Sequence, residues 1–340
     1  MGVISIISSK VAQDGNHDTI KLTSLEALQQ IIKNMKVLVA TEKPFAKVAV
    51  DGIRNVVEGA GYEMALLEKY TDVNELYAAV ADADALIVRS DKVTKEVIDH
   101  AKNLKIVVRA GAGFDNLDLE ACTARGIVAM NTPGQNSNAV AELVMGMLVY
   151  AVRNFFNGKS GSELMGKKLG ILAFGNVGRN VARIAQGFGM EVYAFDPFCP
   201  AEAIAAAGVK PVESVEELYR NCQYVSLHSP ATAETKNSIN YSLTSIMPKG
   251  AMLVNTARKE VINEADLVRI MEERADFRYT SDIAPANLDE LKEKFGNRVF
   301  ATPKKMGAQT AEANINAGIA AAHQTIGFLR DGIDKFRVNK

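Results

Sequence analysis

From Met35 onward, short apolar runs alternate with stretches whose apolar residues recur at helical spacing. "KVLVA" reads as a strand, Lys47 to Gly59 as a helix, and "YEMALLE" as a strand again. "ALIVRS", "KIVVRAG" and "GIVAMNT" continue the strands, with "VTKEVIDHA" and "NLDLEACTA" helical between them. A second series starts at Lys168 with "KLGILAFGNVG" and continues through "EVYAFDP", "YVSLHSP", "AMLVNTA", "FRYTSDIAP" and "RVFATP". Between the series lies a long apolar helix, Ser137 to Asn154, with Ser137 or Asn138 as its cap, and a last helix covers about Thr310 to Arg330. Strands alternating with helices predict parallel sheets covered on both faces. β-branched runs without a polar face suit strands buried on both sides. The fold class expected is therefore α/β, with two doubly wound parallel-sheet domains.

The first 34 residues read differently. "MGVISIISSK" lacks a basic leader and is a poor signal peptide. "TSLE" (Thr23 to Glu26) is a capping box, and Leu25, Leu28, Ile31 and Ile32 follow at helical spacing. This predicts an extension, residues 1–34, carrying one amphipathic helix. No run reaches the roughly 18 to 20 apolar residues of a membrane span, so no membrane partner is expected. A chain of 340 residues is long enough for two domains. Its 39 basic and 40 acidic side chains are spread without a charged tail, so nucleic acid is not an expected partner. Cys122, Cys199 and Cys222 are few, odd in number and without metal-ligand spacing. No metal is expected, and a reducing cytoplasm suits them.

"LGILAFGNVGRNVARIA" is the strongest local signal. A buried strand runs into a tight turn and a helix. Gly175 lets the backbone approach a pyrophosphate, and Gly178 permits close packing of helix on strand. The helix N-terminus supplies amide donors for phosphate. The first glycine of the usual fingerprint is Ala173 here, a departure that loosens it. Asp196 ends the next strand, 18 residues after Gly178. There a carboxylate accepts from the adenosine ribose hydroxyls and repels a 2′-phosphate, which favours NAD over NADP. The alternative is an aspartate capping an ordinary turn.

Several further motifs, in order, are similar to those of the D-isomer-specific 2-hydroxyacid dehydrogenases. They are "LIVRSDKVT", "VVRAGAGFDNLDLEA", "NTPGQNSNAVAEL", "LGILAFGNVGR", "SLHSPATAETKNSIN" and "GAMLVNTARKEVINEADL". The resemblance covers nearly all of the chain from Met35. It implies a flavodoxin-like substrate domain, residues 35–133 plus 318–340, and a Rossmann-like NAD-binding domain, residues 134–317, with the last helix crossing back onto the first domain. It also implies a short form without a C-terminal regulatory domain, and a homodimer built on the helix after "NTPGQNSNAVAEL".

The resemblance further implies a site. Arg258 would hold the substrate carboxylate and C2 oxygen; alternatively it caps a turn or pairs with Glu260. The N–H groups of Ala110 and Gly111 would take the carboxylate. Arg89, Ser90 and Arg109 are candidates for a substrate phosphate, with solvated strand-end charges as the alternative. Lys304 joins them as a phosphate-attracting charge, and Arg153 matches a family arginine. Ala112 is a further cofactor-side candidate; Asn176 and Val177 stand at the pyrophosphate turn, Ser229 and Pro230 by the adenine, and Thr256 with Ala257 by the nicotinamide ribose. Asp282 would meet the carboxamide, and Gly307 and Ala308 complete the set.

The pattern breaks at the acid/base. The family uses a histidine before "GA" and a glutamate to orient it. None of His17, His100, His228 and His323 falls in "ATPKKMGAQT", and Asn287 stands where the glutamate would be. Lys305 holds the histidine position, with Lys304 inserted beside it, as in a lysine-type subgroup of the family. A lysine accepts a proton only when neutral, and desolvation together with Lys304 and Arg258 would favour that form. Asp282 or a water would support the ammonium. The implied reaction is NAD-dependent oxidation of 3-phospho-D-glycerate to 3-phosphohydroxypyruvate, the first step of serine synthesis. Open alternatives are a glyoxylate, hydroxypyruvate or D-lactate enzyme, and a non-catalytic NAD(H)-binding protein of corepressor type.

Overall fold

The computed structural model of the chain describes residues 35–339. The helix expected in the N-terminal extension, and His17, lie outside them. The described residues form two compact units, 35–136 with 311–339, and 137–310. The second crossing precedes the C-terminal helix instead of falling inside it, because the whole helix Ala311–Asp331 belongs to the first unit.

In the first unit, β1 (Lys36–Thr41), β2 (Glu63–Glu68), β3 (Ala85–Val88), β4 (Ile106–Arg109) and β5 (Val128–Asn131) alternate with α1 (Lys47–Gly59), α2 (Val73–Val80), α3 (Lys95–His100) and α4 (Leu119–Ala124). The strands are all parallel, in the order β2-β1-β3-β4-β5. That is the flavodoxin-like order, whose ligand crevice opens beside the carboxyl ends of β1 and β3. Each strand sends alternate residues to opposite faces. Val37 and Val39 meet α1 and the C-terminal helix through Ile53, Val57 and Ala321, whereas Leu38 and Ala40 meet Leu76, Val97 and Ile98 of α2 and α3. The outer edge of β5 is covered by the chain's tail: Val338 N donates to Ala129 O at 2.8 Å, and the buried Asn339 side chain accepts from Ala129 N at 2.8 Å.

The second unit opens with α5 (Ser137–Val152). Seven parallel strands follow: β6 (Lys168–Leu172), β7 (Glu191–Phe195), β8 (Lys210–Pro211), β9 (Tyr224–Leu227), β10 (Met252–Asn255), β11 (Arg278–Ser281) and β12 (Val299–Ala301). Their helices are α6 (Asn176–Gly187), α7 (Ala201–Ala205), α8 (Val215–Asn221), α9 (Tyr241–Ser245), α10 (Glu264–Glu273) and α11 (Leu288–Phe295). The order β12-β11-β10-β9-β6-β7-β8 puts the unit's first strand between its second and fourth, the arrangement of dinucleotide-binding sheets. The two-residue β8 closes one edge, where Pro211 is tolerated because no ladder donor is needed.

The resemblance places a homodimer on α5; within this unit its Ala141, Val144, Met145, Met147, Leu148, Ala151 and Val152 are buried in the core with Val181 and Ala182 of α6 and Met252 and Val254 of β10. The helix also stops at Val152, short of Asn154. Asn154, Phe155 and Phe156 each take φ of 54–55°, a left-handed turn. Such backbone costs about 1–2 kcal/mol per residue in L-amino acids. Its ring contacts offset this, with Tyr150 packing edge-on against Phe155, Phe156 and Phe300, and Arg278 donates to Ala151 O and Asn154 Oδ1.

Candidate functional site

The second unit's crevice begins at the turn after β6. Ala173 adopts φ 75°, so the left-handed conformation that the missing glycine would supply is taken up by an alanine. Gly178 is fixed by contact, since a Cβ there would lie 2.4 Å from Ala173 O and 3.0 Å from Ile171 Cγ2. Gly175, in the N-cap position of α6, is different: a Cβ would meet nothing within 4 Å. The turn therefore requires one glycine for packing and leaves open space at the other. Asn176 and Val177 follow in the first turn of α6.

Asp196 ties this turn to the end of β7. Its Oδ2 accepts from Phe174 N at 2.7 Å and its Oδ1 from Phe198 N at 2.8 Å. It is thus a turn cap, and each oxygen still keeps a lone pair for a further donor. After β9, His228 is half-buried, with its Nε2 2.9 Å from Ser226 Oγ. Burial lowers its pKa to about 3, which keeps the ring neutral. Ser229 is half-buried beside it, and Pro230 is exposed, its carbonyl accepting from Thr235 Oγ1 at 2.6 Å.

At the end of β10 the buried Asn255 orders the next three residues. Its Oδ1 accepts from Ala257 N at 3.0 Å and its Nδ2 donates to Arg258 O at 2.9 Å. Thr256 Oγ1 is buried and meets no hydrogen-bond partner among the described residues. Arg258 is half-buried; among the described residues its Nη1 reaches only the Ala257 carbonyl, at 2.9 Å, and Glu260 forms no ion pair with it.

Asp282 is buried, and its carboxylate is encircled. Oδ1 accepts from Thr302 Oγ1 at 2.9 Å and Met306 N at 2.7 Å, and Oδ2 from Gly307 N at 2.8 Å. The 303–307 loop is thereby drawn back to the sheet on both sides of the lysines. A Cβ on Gly307 would lie 3.0 Å from Asp282 Oδ2, and Ala308 is half-buried. Desolvation of the lysines was expected, but both Lys304 and Lys305 are exposed. The buried stretch ends at Thr302, and Pro303 turns the chain outward. Asn287, in the place of the family's glutamate, has a buried Oδ1 without a partner among the described residues. His100 is exposed and stacked on Tyr77, and His323 and Arg153 are exposed.

In the first unit the candidate side chains stand at the carboxyl ends of β3 and β4, next to the β1–β3 crevice. Arg89 is anchored by protein acceptors: Nη1 donates to Lys43 O at 3.0 Å and Pro44 O at 3.1 Å, Nη2 to Asn314 Oδ1 at 2.7 Å, and the guanidinium lies over the Phe45 ring. Ser90 is exposed. Arg109 is freer. Its Nε donates to Arg89 O at 2.9 Å, while Nη1 and Nη2 meet no acceptor among the described residues. Burial, and then the Arg89 charge, lower its pKa from the usual guanidinium value. It folds over Gly111, where a Cβ would fall 1.6 Å from Arg109 Nη1.

The amides here differ from expectation. Ala110 N donates to Val88 O at 2.8 Å and Gly111 N to Arg109 O at 2.9 Å, so neither is open to a ligand. The N–H groups of Ala112 and Gly113, the next two in the loop, meet no acceptor among the described residues, and neither do those of Phe114, Asp115 and Asn116. Two residues not singled out in the sequence organise this crevice. Asp91 is buried and accepts from Glu42 N at 2.6 Å, Tyr70 OH at 2.9 Å and Arg89 N at 3.3 Å. Asn131 donates from Nδ2 to Ala112 O at 2.6 Å. A signal for Asn131 was present: an Asn-Thr pair closes a strand in both "AMNT" and "LVNT". In each the asparagine side chain fastens a backbone carbonyl at a strand's carboxyl end.

Compared with known proteins, residues 126–303 match the family described as "D-isomer specific 2-hydroxyacid dehydrogenase, NAD binding domain". The D-3-phosphoglycerate dehydrogenase of Methanocaldococcus jannaschii is 36% identical over 78% of this chain and 53% of its own. The hydroxypyruvate reductase of Thermotoga maritima is also 36% identical, over 76% of this chain and 88% of its own. Among solved structures, NAD+-bound 3-phosphoglycerate dehydrogenase of Entamoeba histolytica is 49% identical, with a TM-score of 0.79, covering 90% of this chain and 99% of that one. The chain spans about half the length of the curated phosphoglycerate dehydrogenases it matches.

Proposed function

The chain belongs to the D-isomer specific 2-hydroxyacid dehydrogenase family, and from that premise we propose that it oxidises 3-phospho-D-glycerate to 3-phosphohydroxypyruvate with NAD. The observation that carries the reading is Arg109: a half-buried guanidinium whose Nη1 and Nη2 meet no acceptor among the described residues, in the same loop as the amides of Ala112 and Gly113. A half-buried cation with unused donors suits an anion. The amides of Ala112 and Gly113 suit a carboxylate, and the fork of Arg109 suits a phosphate. Arg89, anchored by three protein acceptors, is assigned to holding the 43–45 loop and contributes charge more than contact.

The second unit's residues fit a dinucleotide. Gly175 leaves open space where a pyrophosphate closes on the α6 N-terminus, Asp196 keeps lone pairs for ribose hydroxyls, and the orphaned Thr256 hydroxyl lacks only a partner. When bound, NAD+ supplies the acceptor for the hydride from C2. Arg258 is assigned to polarising the C2 oxygen, and the Lys305 amine to taking the hydroxyl proton as the carbonyl forms; in reduction Lys305 returns it. Asp282, which accepts from Thr302, Met306 and Gly307, holds the lysine loop and is not itself assigned a proton; its Oδ2 keeps a lone pair for the carboxamide. The step belongs to serine synthesis, and three free cysteines, two of them buried, suit a reducing cytoplasm. Pairing of two copies is assigned to the open strip of α5 formed by Asn138, Glu142 and Gly146 with half-exposed Leu143 and Val149.

A second reading, reduction of unphosphorylated hydroxypyruvate, is favoured by the equal identity of the Thermotoga reductase. Kinetics of Lys305→Met test the acid/base in both. The substitution keeps most of the stem's volume and removes the titrating head. kcat/KM should fall by roughly 10²- to 10⁴-fold, the usual worth of a positioned acid/base, with NADH affinity unchanged and Lys304→Met milder. Near-normal turnover of Lys305→Met with loss in Lys304→Met moves the proton to Lys304; activity in both variants removes lysine from the chemistry.

A further inference from the structure

We infer that Asn131 is the residue that aims the open amides of the first unit, and so a positioning residue for substrate binding. The inference rests on the reading above. Asn131 ends β5 and is paired in register with Arg109, the last residue of β4. From there two donors reach the 110–113 loop. Thr132 N donates to Gly111 O at 2.9 Å, and Asn131 Nδ2 to Ala112 O at 2.6 Å.

The consequence follows from peptide geometry. In a trans peptide the C=O and the following N–H point in opposite directions. Pulling Gly111 O toward Thr132 turns the Ala112 N–H away from β5. Pulling Ala112 O toward Asn131 does the same to the Gly113 N–H. Both open donors are set by β5, one through its backbone continuation and one through a side chain that only asparagine supplies at this length. The support behind Asn131 is firm, because Asn339 and Val338 hold Ala129, two residues earlier on the same strand. Arg109 lies over Gly111 in the same loop, so the clamp orients the amides relative to that guanidinium as well.

Without the Asn131 donor, the Ala112–Gly113 peptide is free to rotate, and the Ala112 carbonyl loses its partner. The Gly113 amide is then misaimed for most of the time, while the nucleotide crevice, in the other unit, keeps all its contacts. The test is full-chain kinetics and titration on Asn131→Asp, which keeps the shape and removes the donor, and on Asn131→Ala, which decides by the same readouts if the aspartate variant does not fold. KM for 3-phosphohydroxypyruvate should rise about tenfold or more, the worth of one well-made hydrogen bond to a charged group. The NADH dissociation constant and kcat at saturation should stay within about twofold, a spread too small to count as a lost hydrogen bond. A KM equal to wild type in a folded variant overturns the proposal, as does parallel loss of NADH binding, which would mark a global structural role. Wild-type protein inactive with every 2-oxo acid would instead sink the functional reading. Calorimetric titration with 3-phosphoglycerate would then still decide the role of Asn131, supporting it if the variant binds more weakly and overturning it if not.

Discussion

Alanine at Gly175 and at Gly178 should separate folding from cofactor binding within one turn. At Gly178 the added carbon would sit 2.4 Å from Ala173 O, a backbone atom that cannot swing aside. Ordinary carbon–oxygen contact needs about 3.3 Å, so α6 or the turn must move by nearly an ångström. Overpacking of this kind costs about 1–3 kcal/mol. At Gly175 φ is −78°, so no left-handed backbone is asked of an alanine, and an added Cβ would meet no atom within 4 Å. Folding should be unaffected, or improved by up to about 1 kcal/mol through a less flexible unfolded chain. The same methyl, however, occupies the space a pyrophosphate must enter. Losing one charge-assisted hydrogen bond there is worth about 1.5–3 kcal/mol, roughly 10- to 100-fold in NADH affinity. Thermal unfolding without cofactor and fluorescence titration with NADH check both. Gly178→Ala should lower Tm and weaken NADH; Gly175→Ala should keep Tm and weaken NADH. A Gly175→Ala protein that binds NADH like wild type would refute the placement of the pyrophosphate.

Two other predictions draw on single side chains. His228 is held neutral with its pKa lowered to about 3, while in the unfolded chain it takes a proton below about 6.5. Stability is therefore lost as pH falls from about 6.5 toward 3, by about 2 kcal/mol at pH 5; in His228→Gln this part of the acid sensitivity should vanish in Tm measured from pH 7 to 5, and an unchanged pH profile would contradict it. Arg109→Met should raise KM for the phosphorylated substrate about 10- to 100-fold with little change in Tm, the loss expected for a charge-assisted contact, whereas Arg89→Met should chiefly lower Tm because Lys43, Pro44 and Asn314 lose their donor; the reverse ranking would reassign the two arginines.

The elements that periodicity made legible are those whose burial is decided inside one sheet. β1, β3 to β6, β9 and β10 are apolar on both faces, and their positions followed from the runs alone. Two-residue β8 and the five-residue helices α7 and α9 carry too little pattern to be seen. The left-handed turn at Asn154 to Phe156 contains no glycine to announce it, and is upheld by rings distant in sequence. What covers α5 was not legible, because an apolar helix looks alike whether a subunit or its own sheet covers it. At the site, residue types were legible but hydrogen-bond direction was not. Ala110 and Gly111 occupy the expected loop, yet their amides point to Val88 and Arg109, a matter of strand register. Asp196 stands at the strand end as read, but two backbone amides already use it. The lysines were expected to be desolvated because they follow a buried strand; Pro303 ends that burial one residue too soon.

The most direct test of the central claim is NADH oxidation by the purified full chain, followed at 3-phosphohydroxypyruvate, hydroxypyruvate, glyoxylate and pyruvate in turn. The free fork of Arg109 predicts that the phosphorylated substrate has the highest kcat/KM, by at least about the tenfold that one lost charge-assisted contact represents. Equal or greater efficiency with hydroxypyruvate would contradict the phosphate assignment and leave the reductase reading in its place. NADH binding without turnover of any 2-oxo acid would contradict the dehydrogenase reading itself.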